Sequence, residues 1–511
     1  METRSIFPEP GTQQLPGSGT GNAPEDEDGG DGKGSIDGNG VSGNPYAGLV
    51  ALLRAAWLSG KTRPMEYRVA QLEALGRFLE DKKQEILEAT ALDVGKPPFE
   101  AELAEILLCK NELHATLNNL SQWMKDEPVE RNLATRLDSA FIRKEPYGVV
   151  LIMGPWCCPV SFLLGPLIGA VAAGNCAVLK PSEMTKNVEK LMVEVLPGYL
   201  DRDCFAVVTA GAQETSRLLE NKFDYIFFTG SPSVGRVVMA AAAQHLTPVT
   251  LELGGKNPCY VSEPCDVRSV ARRVAWGRFF NAGQTCVAPD YVLCTLELQE
   301  KLLPALREAI TEFYGSNPRE SPDFGRIVDE KEFQRLRALL RSGRVAIGGQ
   351  AEEEERYIAP TVLVDVQPSD PVMQEIILGP VLPIVGVAGV DEAIDFINSR
   401  ERPLAVYVFS SDDKVVAQVL ERTSSGGFCS NDTLMHMILT SLPFGGIGCS
   451  GLGKYHGKFT FDTFSHQRGC LHRNMGLEAL NALRYPPYSQ HRLGIVCAAS
   501  GVKHKGSCTL L

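Results

Sequence analysis

The sequence predicts an α/β protein: an open, doubly wound parallel sheet and a second α/β region after it. Three observations carry this. Short apolar runs (Gly148–Met153, Cys176–Leu179, Phe205–Thr209, Tyr225–Thr229) alternate with helical segments such as Glu183–Leu196 and Gln213–Asn221. That alternation implies right-handed strand–helix–strand units, which bind ligands at the carboxyl ends of their strands. Pro146 to Leu179 carries no charge over 34 residues, yet prolines at 155, 159 and 166 break it. It therefore reads as buried strand, helix (Ser161–Ala173) and strand rather than as a membrane span. Finally, 511 residues with 44% apolar and 22% charged side chains suffice for several domains with a sizeable core.

Residues 1–46 open the chain with eight acids, two bases and eleven glycines. With almost no large apolar side chain they cannot offset chain entropy, and they read as a disordered acidic tail. From Ala47 to about Trp123, Leu72, Leu75, Phe78 and Leu79 recur at helical spacing. Residues 137–147 read as a connecting strand. A second α/β stretch runs from about Thr250 to Lys454. Its strands include Tyr260–Val261, Tyr291–Thr295, Val381–Val387 and Leu404–Phe409; its helices include Gln299–Tyr314 and Val390–Asn398. No internal repeat is present.

The net charge of −12 leaves no basic excess to neutralise phosphates, which excludes nucleic acid as the main partner. Fourteen irregularly spaced cysteines in so long a chain point to reduced thiols, and no His/Cys spacing suits a metal.

Five motifs could carry chemistry. Phe228-Thr229-Gly230-Ser231 leads from a strand into a helix over Val234–Ala243, with Gly235 in its first turn. Such a helix start offers free N–H groups to a phosphate; a capped helix behind a tight turn reads equally well. Gly283-Gln284-Thr285-Cys286 sets a cysteine in a glycine-flanked turn, where backbone donors favour the thiolate. An inert buried thiol is the alternative. Leu251-Glu252-Leu253-Gly254-Gly255-Lys256 puts a carboxylate at an apolar strand end, where its pKa would rise to suit a general base. It could instead pair with Lys256. Lys180-Pro181-Ser182-Glu183 follows a strand and could meet a ribose, or simply start a helix. Cys508-Thr509-Leu510-Leu511 fits a prenylation signal, with Arg484, Arg492, Lys503 and Lys505 nearby as the second, basic signal that anchoring needs. Cys497 is a candidate palmitoylation site.

In chain order, Pro155-Trp156, Lys180–Glu183, Phe228–Ser231, Leu251–Lys256, Gly283–Cys286, Gly379-Pro380 and Pro443-Phe444-Gly445-Gly446 resemble the motifs of the NAD(P)-dependent aldehyde dehydrogenase superfamily. The similarity is greatest to the lipid-anchored B-type members of the class 3 group, and covers Ala47 to the C-terminus. The resemblance implies a thiolate at Cys286 attacking an aldehyde, hydride transfer to NAD or NADP, and Glu252 activating water against the thioester. It implies that Trp156, Gly230, Ser231 and Gly235 line the cofactor site, with Lys180 and Glu183 at the adenosine ribose. The backbone N–H of Cys286 would hold the oxyanion.

It also implies a division of the chain. A cofactor domain would take 47–126 and 148–249, and a catalytic domain 250–458. A bridging element of 127–147 and 459–475 would make a homodimer, and 476–511 would be a basic, prenylated tail. The protein would sit on the cytoplasmic face of membranes and oxidise medium- or long-chain aldehydes.

Two departures bear on activity. The family's Pro-Trp-Asn-aromatic-Pro stands here as Pro155-Trp156-Cys157-Cys158-Pro159, so the Asn amide that donates to the oxyanion is replaced by the weak S–H donor of Cys157. The family's Glu-Ile-Phe-Gly-Pro stands as Ile376-Ile377-Leu378-Gly379-Pro380, and Ile376 cannot accept from the nicotinamide ribose. Glu375, one residue off, is expected to point elsewhere. A prenylated pseudoenzyme dimer is therefore the second hypothesis. A hydrolase using Cys286 and Glu252 without nicotinamide is the third.

Overall fold

The computed structural model describes residues 43–476 and 478–502. The expected tail, up to residue 42, and the Cys508 motif lie outside the described residues. The last residues assigned to the tail are already part of the fold: the Asn44 amide donates to the Arg217 carbonyl at 2.6 Å and to Glu220 at 2.9 Å.

The first sheet has six strands, in the order Gly451–Leu452, Val249–Glu252, Tyr225–Thr229, Val149–Met153, Cys176–Lys180, Phe205–Val207. All pairs are parallel except that of Gly451–Leu452 with Val249–Glu252. The expected boundary near residue 250 thus cuts a strand. Val249–Glu252 pairs with Tyr225–Thr229, and Thr250 to Glu252 are buried like the strands beside them.

The charge-free stretch resolves as expected. Every residue of the helix Ser161–Ala173 is buried, and it packs against the helices Met65–Asp81 and Leu108–Trp123. No helix among the described residues is long and apolar enough to cross a membrane.

The second sheet has seven strands, ordered Arg344–Ile347, Thr361–Val364, Val381–Gly386, Tyr291–Cys294, Pro258–Val261, Ala405–Phe409, Gly427–Ser430. It is parallel apart from its first, edge strand. A third, antiparallel sheet joins Glu127–Pro128, Ser139–Pro146 and Ser465–His472, with eight residues of the last two in register. Long-range pairing of segments more than 300 residues apart is invisible to local periodicity.

Candidate active site

The carboxyl ends of the first sheet's strands and the cysteine turn meet at one cavity of about 830 Å³, within the roughly 300–1,000 Å³ of small-molecule sites. Cys286, Glu252, Cys157, Trp156, Lys180, Glu183, Gly230 and Ser231 all line it. Residues scattered from 156 to 286 in sequence are thus brought together.

The turn that carries Cys286 is fixed at many points. The helix Val267–Phe279 is capped by Asp266 and ends in a sharp reversal, where Asn281, Ala282 and Gly283 all have positive φ. Left-handed backbone at two non-glycine residues costs roughly 1–2 kcal/mol each, so the surroundings must hold it. They do. The Asn281 N–H donates to Glu100 at 2.8 Å, and its amide donates to the carbonyls of Cys157 and Gln284, each at 2.9 Å. Gly283 packs on Gly379, where a Cβ would stand 2.1 Å from the carbonyl oxygen, so the two glycine motifs are one contact. Beyond the turn, the Asn257 amide donates to the Cys286 carbonyl at 2.8 Å.

Cys286 is half-buried. Burial pushes its thiol pKa up, and the nearby Cys158 and Glu252 add to the rise. The N–H groups of Cys286 and Val287 point at the sulfur and oppose the shift without overcoming it. The backbone donors of the turn favour the thiolate as expected, but lost solvation outweighs these two dipoles.

Glu252 is 3% exposed, and neither carboxylate oxygen has a hydrogen-bond partner among the described residues. Desolvation raises its pKa well above the usual carboxylate range. It does not pair with Lys256, whose ammonium binds Asp290 at 2.7 Å beside the fully buried Arg278. Gly445, in the Pro443-to-Gly446 motif, lies against it: a Cβ there would stand 3.2 Å from Oε1.

Cys157 and Cys158 are buried beside a fully buried ion pair. Lys96 Nζ reaches Glu105 at 2.5 Å and the Cys157 carbonyl at 3.1 Å, and Glu105 accepts from the N–H groups of Val160 and Ser161. This pair sets the turn that leads into the helix Ser161–Ala173. Local sequence patterns gave no sign of it.

At the cavity's other end, Ser231 caps the helix Pro232–Ala243 by accepting from the Val234 N–H at 3.4 Å. Thr229 Oγ1, buried and lining the cavity, has no partner among the described residues. A capped helix start and an orphaned hydroxyl fit a phosphate-bearing ligand. Lys180 Nζ bonds Glu183 at 2.8 Å beside them. Gly235 does not line the cavity. It lets the helix approach Leu253, where a Cβ would come within 2.4 Å of Cδ2, so its expected place at the cofactor is corrected to one in packing.

Ile376 does face the reaction centre. A Cβ on Gly254 would stand 3.6 Å from both Ile376 Cδ1 and Cys286 Cβ. Glu375 lines the same cavity, against expectation. Residues 374–380 form no strand and Leu378 has φ 46°, so neighbouring side chains there do not alternate between opposite faces. Cys497 is exposed on the helix Gln490–Ser500. Among the described residues no group of His, Cys, Asp or Glu could hold a metal ion.

The carboxyl edge of the doubly wound sheet thus opens on a cavity faced by a thiol and a carboxylate. Residues 51–469 match the model of the aldehyde dehydrogenase family, and the chain belongs to that family. It is 63% identical over 469 residues to aldehyde dehydrogenase family 3 member B1 of Homo sapiens, covering 92% of this chain and 100% of that protein. It is 62% identical to family 3 member B2 of Mus musculus, covering 91% and 97%. The substrate-bound AldH of Staphylococcus aureus superposes with a TM-score of 0.85 at 41% identity, covering 88% of this chain and 98% of that one. An NAD+ complex of a Mycobacterium tuberculosis aldehyde dehydrogenase gives 0.75 at 26% identity, covering 84% and 89%. The fold and family are those of an NAD(P)-dependent aldehyde dehydrogenase of class 3.

Proposed function

We propose that this chain oxidises medium- and long-chain aldehydes to carboxylic acids at a membrane surface. The observation that carries this reading is the convergence of Cys286 and Glu252 on the cavity fitted for the dinucleotide. Cys286 sulfur adds to the aldehyde carbon, giving a thiohemiacetal whose oxyanion takes the N–H of Cys286 and, weakly, the thiol of Cys157. A nicotinamide in that site would supply the hydride acceptor needed to take the thiohemiacetal to the oxidation level of a thioester. Glu252 then takes a proton from water, hydroxide adds to the thioester carbon, and the carboxylic acid leaves with the thiol restored. Trp156, Gly230, Ser231, Lys180 and Glu183 hold the dinucleotide.

Both Cys286 and Glu252 work deprotonated, and burial raises both pKa values. Their working forms accumulate only as pH rises, so kcat/KM should climb steadily above neutrality. A pH profile that is flat from neutral to alkaline would contradict these roles.

Phe162, Leu404, Phe444 and Tyr455 on the wall of the main cavity offer apolar surface to an aliphatic substrate tail. The exposed Cys497 and the Cys508 motif support anchoring on the cytoplasmic face. The three-stranded antiparallel sheet, formed by the segments assigned to the bridging element, supports the homodimer. The two larger sheets give the cofactor and catalytic domains their cores.

The test is NAD(P)H formation by the purified chain with hexadecanal. Turnover is expected with at least one of the two nucleotides. Folded protein that shows none, with any aldehyde from hexanal upward, favours the second reading. In that reading Cys157 and Ile376, both at the cavity wall, leave a prenylated dimer that binds without useful turnover.

A further inference from the structure

Resting on that reading, we propose that Glu375 supplies the carboxylate that grips the nicotinamide-side ribose, in place of the acid missing at 376, and that Arg335 is the residue that positions it.

Ile376 presents Cδ1 to Gly254 beside Cys286, so at this point the wall offers a ribose no acceptor. The next side chain back, Glu375, lines the same cavity, and it is 45% exposed. Arg335 ties it down. Its Nη1 stands 3.4 Å from Glu375 Oε1, its Nη2 donates to the Ile377 carbonyl at 2.6 Å, and its Nε donates to Glu332 at 2.8 Å. Two of those contacts fix the guanidinium to its own helix and to the backbone of the 375–378 segment. The third therefore sets where the Glu375 carboxylate rests.

Charge selects the ligand group. Glu332 and Glu375 flank one guanidinium, leaving an excess negative charge at this spot, which repels a phosphate and suits a hydroxyl donor. Phosphates have their own seat at the Ser231 helix start. The vicinal hydroxyls of a ribose are the donors that a dinucleotide brings to the Cys286 end.

The experiment titrates full-length wild type and Glu375→Ala with ADP, ADP-ribose and NAD+, reading heat or the fluorescence of Trp156. ADP lacks the second ribose and should bind both proteins alike, which also reports an intact fold. ADP-ribose and NAD+ should bind Glu375→Ala roughly ten- to a hundredfold more weakly, as for lost hydrogen bonds to a charged group. Arg335→Ala should show the same selective loss, with Arg335→Lys between. Glu375→Ala combined with Ile376→Glu should regain affinity. Equal affinity of wild type and Glu375→Ala for all three ligands overturns the assignment. Wild type that binds ADP but gains nothing from the second ribose overturns it too. Wild type that binds neither NAD+ nor ADP removes the proposed function itself.

Discussion

Cys286→Ala should lower aldehyde-dependent NAD(P)H formation by roughly 10⁴–10⁶-fold, as removal of a nucleophile does in other covalent enzymes. The size of the effect follows from the site. Glu252 lies within the same cavity but is buried, and desolvation raises its carboxyl pKa, so it makes a poor substitute nucleophile. Cys157 also faces the cavity, yet its backbone is held back by Lys96 and Asn281. The variant should still bind dinucleotide, because the helix start at Ser231 and the Lys180–Glu183 pair lie elsewhere. Steady-state turnover with hexadecanal checks the loss, and an NAD+ titration checks the retained binding. Turnover that survives within a factor of ten would remove Cys286 from the reaction.

Cys157→Asn should have the largest effect in the opposite direction. A carboxamide N–H is a full donor where a thiol is a weak one. Adding or removing one oxyanion donor changes kcat by roughly 10²–10³. The backbone at 157 is ready to present it. Its carbonyl is pinned by the Lys96 ammonium and by the Asn281 amide, which also holds the Gln284 carbonyl just before Cys286. An amide at 157 would therefore be delivered from a fixed point on the wall that faces the sulfur. The gain should appear in kcat rather than in KM, since the donor meets charge that develops only in the transition state. Kinetics of the purified variant decide it. No gain would mean that the N–H of Cys286 carries the oxyanion without help.

How much of this was legible in the sequence depended on range. The helix Ser161–Ala173 and the strand Tyr225–Thr229 come out as read, because apolar runs bounded by glycine and proline are local signals. The motifs at 180–183, 228–231, 252 and 283–286 also converge as their resemblance implies. What the sequence hid is mostly non-local. The Lys96–Glu105 pair, the Arg278–Asp290–Lys256 network and the Arg335 contacts join residues whose separation carries no periodicity. One misreading was local instead: Glu375, one residue off the motif position, was expected to point elsewhere, and it lines the cavity in a segment that forms no strand.

The Lys96–Glu105 pair reaches further than its two side chains. Both partners come from the amino-terminal helical region, and both end on the 157–161 turn that forms one wall of the reaction cavity. Removing either one alone would strand a buried charge. The helices before residue 123 are therefore not an accessory that splicing, a later start codon or a shortened expression clone could shed. A product beginning after residue 105 would lack both struts of its own catalytic chamber, however intact its cysteine motif reads.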